Sequence, residues 1–397
     1  MPGKNIMQTK KPAPDRAFHI ALRGGLTCLL LLGLPLLGAV LAGLPALRFA
    51  EFPPLTRYVE HAPFAWPAFA VLAAFLLAVL LPFELHACRA NLLLPKRAEP
   101  LFPHPFPIWG WAGLVIGLAV WILAWTRFPW FAPFQRQTFA PLWLAYIVVV
   151  NGLLKARTGR CHITDQPGYL VGLFVASAAF WWFFEYLNRF VQNWYYVGVE
   201  GFSPLEYFLF ATLPFSTVLP AVMGTAQLLE TFPPAGAGLD NFVRLPITRP
   251  RLVAVAWLLA ASAGLAGIGI LPDLLFPLLW LSPLIVVTAL QALSGQPTIF
   301  AAIENGRWRR LYIVAAAALI CGVFWEMWNF YSLAQWKYCV PYVNAFRIFE
   351  MPLLGFAGYL PFGLECAVIA DAVAGLAGNR SAPGNRSSED MRPVHNG

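Results

Sequence analysis

The chain has 397 residues, of which 59% are apolar and only 12% are charged, and its formal net charge is +8. Soluble domains carry roughly 45–50% apolar and about 25% charged residues, so this chain lacks the charge to cover the surface of a soluble globule. The mean hydropathy of +0.63 agrees. These values exclude a soluble enzyme, a disordered chain and a secreted disulfide scaffold, and they predict a polytopic membrane protein.

Apolar runs, each about the 17–25 residues that cross a bilayer, follow one another along the chain. They are too long for strands and lack period-2 alternation, so we predict an all-α polytopic membrane protein with about ten transmembrane helices. The first run is longer than a signal-peptide core, and we expect it to be retained. The short turn at Leu271–Asp273 leaves nine spans as the alternative. The predicted spans are 25–47, 66–86, 107–126, 139–155, 168–188, 205–228, 252–271, 273–293, 311–331 and 352–376.

Lysine and arginine are distributed unevenly over the two sides that ten spans define. Of the 27 such residues, 20 lie on the side that carries both ends of the chain, and 7 lie on the opposite side. Cytoplasmic loops carry the excess of positive charge, so we predict a protein of the cell inner (cytoplasmic) membrane with both termini in the cytoplasm. No basic stripe with interleaved aromatic residues indicates a nucleic-acid partner.

Two parts of the chain match each other in order and spacing. Glu185 and Asn188, near the end of the fifth predicted span, correspond to Glu326 and Asn329 near the end of the ninth, both at an offset of 141. A Trp-x-Tyr triplet follows each pair. Because each copy has an even number of spans, we expect parallel repeats related by an axis along the membrane normal. The predicted organisation is a cytoplasmic tail (1–24), two N-terminal transmembrane helices (25–100), four-helix repeat A (101–230), four-helix repeat B (231–376) and a disordered cytoplasmic tail (377–397).

The matched Glu-Asn pairs are the first candidates for chemistry. A carboxylate inside a membrane is costly and usually faces a partner or a cavity, and an Asn three residues after a Glu shares its helix face. If the repeat axis brings Glu185 and Glu326 together, one takes a proton while the other stays ionised, as acid–base catalysis requires. We predict both as catalytic residues, oriented by Asn188 and Asn329. The alternative is an interfacial anchor belt, since Trp and Tyr follow both pairs.

Two further carboxylates are candidates for the same site. Glu206 begins the sixth span, where it is either an acid or a partner of the helix dipole. Glu365 lies about 20 Å into the tenth span, near the middle of the bilayer, and must be protonated or paired there. The chain has no HExxH, GxSxG, Walker or GxGxxG motif, so we expect neither a metal nor a cofactor.

The stretch WYYVGVEGFSPLEYFLF, residues 194–210, resembles the membrane lycopene cyclases of the small-subunit or fused type and related carotenoid-pathway membrane proteins. In that family a Trp-x-Tyr-like pair precedes a Pro-x-Glu-Glu helix start followed by Leu-Phe, and Pro204, Glu206 and Phe210 match it. Tyr207 stands where the family has its second acid. The resemblance implies cofactor-free or redox-neutral proton chemistry on a polyene, with Glu206 as an acid.

Three functional hypotheses follow from these features. The first is an integral membrane enzyme acting on an isoprenoid or another lipid, with membrane lipids or a small apolar substrate as its partners. Its pocket would be lined by aromatic residues, which make up 15% of the chain and stabilise cations. The second is a proton-coupled transporter, suited by parallel repeats and Glu365. The third is a non-catalytic subunit of a membrane assembly, whose protein partners the sequence does not identify.

Overall fold

The computed structural model describes residues 14–54, 57–94 and 100–376. Among these residues, nine helices are long and apolar enough to cross a membrane, and Leu278–Leu293 is a shorter apolar helix. The predicted class, a polytopic helical protein, is therefore confirmed. The predicted C-terminal tail (377–397) and residues 1–13 of the predicted N-terminal tail lie outside the described residues.

The elements alternate long helices with short connecting structure. The helices are α1 (Pro14–Leu41), α2 (Trp66–Leu92), α3 (Ile108–Trp125), α4 (Phe139–Thr158), α5 (His162–Asp165), α6 (Pro167–Val191), α7 (Pro204–Phe215), α8 (Val218–Glu230), α9 (Pro250–Gly267), α10 (Pro272–Leu275), α11 (Leu278–Leu293), α12 (Arg309–Phe330) and α13 (Tyr359–Leu376). The strands are β1 (Trp194–Val197), β2 (Gln335–Tyr338), β3 (Arg347–Ile348) and β4 (Met351–Pro352). Short 3₁₀ helices lie at Ala46–Phe49, Pro129–Gln137, Leu239–Asn241, Ala301–Asn305 and Leu353–Gly358.

The sixth predicted span is divided into α7 and α8, which meet at Ser216 and Thr217. Pro214 and Pro220 favour the break because a proline ring supplies no backbone N–H and clashes with the preceding turn. The Ser216 hydroxyl donates to the carbonyl oxygen of Leu213 at 2.6 Å. The Thr217 hydroxyl donates to that of Pro214, also at 2.6 Å. These bonds satisfy carbonyl oxygens that a broken helix leaves unpaired in an apolar medium.

The chain turns back between α9 and α11, at the turn where the nine-span alternative would have continued one helix. The two helices pack against each other. Gly264 permits the close approach, since a Cβ at that position would lie 2.6 Å from Leu278 Cδ1. α11 has 16 residues, fewer than the predicted span, because α10 and Pro277 take up its beginning.

The buried core joins the two halves of the chain. Trp143 of α4 packs on Trp325 of α12 with ring centroids 4.9 Å apart, and Phe184 of α6 packs on Trp280 of α11 at 4.9 Å. α12 and α6 both pack against α8 and α13. In contrast, no residue in the most apolar part of α2 is buried inside the bundle, as expected of a helix that faces lipid. The functional candidates on α6 and α12 therefore lie inside the bundle.

β1 and β2 form an antiparallel ladder that follows the ends of α6 and α12. Its register pairs Trp194 with Tyr338 and Tyr196 with Trp336, so the two Trp-x-Tyr triplets face each other in reverse order. These short strands lie between the long helices, and the sequence does not predict them. Strands of four and two residues are too short to show alternation. The partner of β1 also lies far away in the sequence, where no local pattern reveals it.

His61, between α1 and α2, joins distant segments at the end of the bundle that carries the ladder. Its Nδ1 lies 2.6 Å from Asp273 Oδ1, and its Nε2 lies 3.2 Å from the carbonyl oxygen of Gln192. Both partners only accept hydrogen bonds, so the ring is a doubly protonated imidazolium. Burial lowers the pKa of the ring, but its hydrogen bonds to Cys339, Asp273 and Gln192 outweigh burial and raise that pKa to about 9.

We expect His61→Leu to lower the free energy of unfolding by about 2 kcal/mol at neutral pH, since a hydrogen bond to a charged group contributes roughly 1.5–3 kcal/mol. The folded-state pKa lies above the unfolded value. The stabilisation is therefore complete below the unfolded pKa of about 6.5 and is lost as the pH rises through about 9. Thermal unfolding in detergent between about pH 6 and pH 10 measures this. The wild type should lose stability over that interval, and an equal decline in His61→Leu would contradict the assignment.

Candidate functional site

An aromatic cavity of about 110 Å³ lies between the two halves of the bundle. Both strands of the ladder contribute to its wall, together with helices of each half. Its wall is mostly aromatic surface, with phenol hydroxyls and indole N–H groups as the polar groups, and such a wall suits an apolar ligand. The tyrosines and tryptophans that line it are Tyr196, Tyr207, Tyr338, Tyr359, Trp181, Trp194, Trp280, Trp325 and Trp336.

Glu185 lies on α6 behind the wall of the aromatic cavity and is 2% exposed. Its Oε1 accepts a hydrogen bond from the Tyr196 hydroxyl at 2.6 Å and another from the Trp194 indole N–H at 3.0 Å. Both donors line the aromatic cavity. The carboxylate is therefore linked to the cavity wall by hydrogen bonds from a phenol and an indole.

Glu326 occupies the matching position on α12 and is fully buried. Its Oε1 accepts hydrogen bonds from the hydroxyls of Tyr338 at 2.7 Å and Tyr359 at 2.8 Å. The Trp336 indole donates to the Tyr338 hydroxyl oxygen at 2.7 Å and not to the carboxylate. Glu326 Oε2 has no hydrogen-bond partner among the described residues. A buried carboxylate with one unpaired oxygen is costly, so this oxygen is suited to hold a proton.

The two strand tyrosines remain protonated. Burial first, and then the charge of the neighbouring glutamate, raises the pKa of Tyr196 and of Tyr338 well above the ordinary value of a phenol. Each therefore keeps its O–H and donates it to the carboxylate behind it. A short hydrogen bond between a phenol and a carboxylate allows a proton to be exchanged between them.

Asn188 and Asn329 bind the strand backbone and not the carboxylates. Asn188 Nδ2 donates to the carbonyl oxygen of Trp194 at 2.8 Å, and its Oδ1 accepts from the Asn193 N–H at 2.9 Å. Asn329 Nδ2 donates to the carbonyl oxygen of Trp336 at 2.8 Å, and its Oδ1 accepts from the N–H of the same residue at 2.8 Å. The two amides thus position the strands whose side chains reach the acids, which makes their orienting role indirect.

The surroundings of the two acids differ at one pair of positions. Tyr359 reaches Glu326 because Gly322 has no side chain: a Cβ there would lie 2.5 Å from the tyrosine ring. Trp181 stands at the matching position of α6, at the offset of 141, and Thr212 stands before the Leu-Pro-Phe triplet that Tyr359 precedes in the other half. The large side chain at this place is Tyr359 of α13 in one half and Trp181 of α6 in the other. Glu326 therefore has a second tyrosine as a hydrogen-bond donor, and Glu185 does not.

Glu206 lies apart from the other predicted acids. It is exposed and closes a capping box at the start of α7. The Ser203 N–H donates to Glu206 Oε2 at 2.8 Å, and the Glu206 N–H donates to Ser203 Oγ at 3.4 Å. Glu206 is not among the residues that line the aromatic cavity. Its position is that of the alternative interpretation, a residue that stabilises the beginning of a helix.

Glu365 is buried on α13, 4% exposed, and also lies apart from the wall of the aromatic cavity. Neither of its oxygens has a hydrogen-bond partner at normal distance among the described residues, and the backbone of Leu284 approaches more distantly. An unpaired carboxylate in this position is stable only when it carries a proton. None of the four glutamates lines the aromatic cavity itself. Glu185 and Glu326 are joined to its wall by hydrogen bonds from lining tyrosines, whereas Glu206 and Glu365 have no such bond among the described residues.

Only some of the side chains that form the wall of the site carry a signal in the sequence. Tyr196 and Tyr338 were visible as repeated aromatic residues, and their spacing after each Glu-Asn pair is the signal that identifies them. Tyr359 and Tyr207 carry no such signal, because only the packing of α13 and α7 brings them to the cavity. Among the described residues, no group of three or more His, Cys, Asp or Glu side chains is arranged to hold a metal ion.

No protein family, curated protein or solved structure matches this chain. The resemblance of residues 194–210 to membrane lycopene cyclases therefore stays a prediction.

We expect Gly322→Ala to destabilise the protein by about 1–3 kcal/mol, because the added methyl group collides with Tyr359 and overpacking of a core has this cost. Gly168→Ala on α6 is the matched control, since a Cβ there meets nothing within 4 Å. Thermal unfolding in detergent compares the two. Equal stability of both variants would show that Tyr359 does not depend on the space above Gly322.

Proposed function

We propose that the protein is an integral membrane enzyme that acts on an isoprenoid or another lipid by acid–base chemistry in the aromatic cavity. One observation carries this proposal: two buried glutamates each accept a hydrogen bond from tyrosines that line the same apolar cavity. The tyrosines touch the bound molecule, and Glu185 and Glu326 supply or remove their protons. Buried acids that reach an apolar cavity through hydrogen-bonded phenols are suited to general acid–base catalysis.

The chemistry of the wall favours an isoprenoid substrate. A polyene offers no polar group, so its binding depends on apolar surface, which the rings of the cavity provide. Protonation of a double bond creates a carbocation, and aromatic faces stabilise cations. The resemblance to lycopene cyclases points to the same substrate class. The resemblance implies Glu206 as the acid. Glu206 lies in an exposed capping box, whereas Glu185 and Glu326 are bonded to tyrosines of the cavity wall, so we assign the acid role to these two.

The architecture proposed with this function is two parallel four-helix repeats, 101–230 and 231–376, after two N-terminal helices. The reversed register of the ladder, centred on Tyr195 and Lys337, supports a two-fold axis. The matching bonds of Asn188 and Asn329 to their strands support it as well. Ten spans result when α11 is counted with the nine longer helices of the described residues.

We place the protein in the cytoplasmic membrane with both termini in the cytoplasm, as the distribution of Lys and Arg predicts. The ladder then lies on the outer side, since β1 and β2 follow helices that run outward. Because both strands line the aromatic cavity, the cavity lies toward the outer side in this orientation. A lipid substrate would enter it from the membrane.

Glu185→Gln and Glu326→Gln should each reduce product formation by roughly 100-fold or more, the loss typical of a missing general acid or base. Cells that accumulate lycopene and polyprenyl lipids express each variant, and their lipids are profiled by mass spectrometry. Glu206→Gln is the matched control and should keep wild-type activity. Unchanged product in the Glu185 and Glu326 variants, with folded protein in the membrane, would overturn the assignment.

A proton-coupled transporter is the second candidate, and Glu365 is the observation that favours it. A protonated carboxyl buried within a span is the group such a transporter needs to bind and release a proton. Uptake into sealed vesicles should then depend on a pH gradient and vanish in Glu365→Gln. If product formation from lipid does not depend on the pH gradient, and Glu365→Gln forms as much product as the wild type, the enzyme is favoured instead.

A further inference from the structure

A small crevice, separate from the aromatic cavity, borders Glu185. Its volume of about 20 Å³ exceeds the roughly 10–15 Å³ that one water molecule needs. Glu185 and Trp194 line it together with Arg57 and Arg189. We call it the outer crevice, because it lies at the end of the bundle that carries the ladder.

Glu185 therefore stands between two spaces. On one side its Oε1 meets the Tyr196 hydroxyl and the Trp194 indole, which line the aromatic cavity. On the other side the residue lines the outer crevice. Glu326 differs, since it has no exposed surface and one of its oxygens has no partner among the described residues.

We propose that Glu185 and Tyr196 carry protons between water on the outer side and the aromatic cavity. This inference rests on the proposed function and assigns the two acids different tasks. Tyr196 gives its O–H proton to a carbon of the substrate double bond, where a C–H bond forms, while Glu185 passes its proton to the Tyr196 oxygen. A proton from the water outside then reaches Glu185 through a water molecule in the outer crevice. At each step one O–H bond breaks and one bond to hydrogen forms, C–H on the substrate and O–H on Tyr196 and Glu185, and no electrons are exchanged.

The charges around Glu185 suit this task. Arg189 lies one turn further along α6, and its Nη1 donates to the carbonyl oxygens of Phe49 and Glu51 at 2.6 Å each. The side chains of Arg189 and Arg57 place positive charge at the crevice, which stabilises the carboxylate after it has given up its proton. The buried phenol of Tyr207 is the remaining titratable group close to Glu185.

The sidedness of the proton supply tests the proposal. The rate of product formation is measured in sealed right-side-out vesicles from lycopene-accumulating cells, while the pH outside and the pH inside the vesicles are changed separately. We expect the rate to follow the outer pH and to be insensitive to the inner pH. A rate that follows the inner pH, or neither, would overturn the relay and leave the proposed enzyme standing.

A matched pair of variants on one strand tests the route. Tyr196→Phe keeps the ring in the cavity wall but removes the hydroxyl, so the rate should fall by roughly 100-fold or more. Tyr195→Phe is the control, since the Tyr195 ring packs edge-on against Tyr58, and it should keep the wild-type rate and its response to outer pH. Full activity of Tyr196→Phe would overturn the route.

Radiolytic hydroxyl-radical labelling detects the water without any activity. Radicals formed from water in the outer crevice should oxidise the Glu185 side chain more strongly than the fully buried side chain of Glu326. Equal labelling of the two glutamates would overturn the proposal. Unequal labelling in a protein that forms no product from any lipid would reject the enzyme and keep the water path to Glu185.

Discussion

Two carboxylates buried in an apolar bundle are the constraint that the rest of the structure has to meet. Glu185 and Glu326 both need hydrogen-bond donors in a medium without water. Most of those donors come from β1 and β2, and the strands pair only when the two halves of the bundle meet. The association of the two halves of the bundle therefore has three results. It supplies hydrogen-bond donors to the acids, it pairs the two strands, and it encloses the aromatic cavity.

Local patterns predict the class of the protein, and distant contacts decide the site. Hydropathy is a property of each segment, so the long helices were predictable. The recurrence of the Glu-Asn pairs identified Glu185 and Glu326 in the same way. The ladder and the approach of Tyr359 to Glu326 depend on partners far away in the chain. Glu206 is different, because the pattern Ser203-x-x-Glu206 of a capping box is readable in the sequence, and the structure forms that box.

One exchange of large and small side chains gives the two acids different surroundings. Where Gly322 admits Tyr359, the carboxylate is enclosed and one oxygen has no partner among the described residues. Where Trp181 fills the matching place, the carboxylate borders the outer crevice. In the proposed enzyme one acid exchanges protons with water, and the other keeps its proton within the protein.

Binding of an apolar molecule in the aromatic cavity is the central claim, and lipid extracted from purified protein tests it most directly. Ala211→Phe fills the cavity that Ala211 lines, whereas Leu213→Phe changes a 52% exposed position of the same helix. The account predicts that an isoprenoid lipid copurifies with the wild type and with Leu213→Phe but is lost from Ala211→Phe. The same lipid content in all three proteins would contradict it.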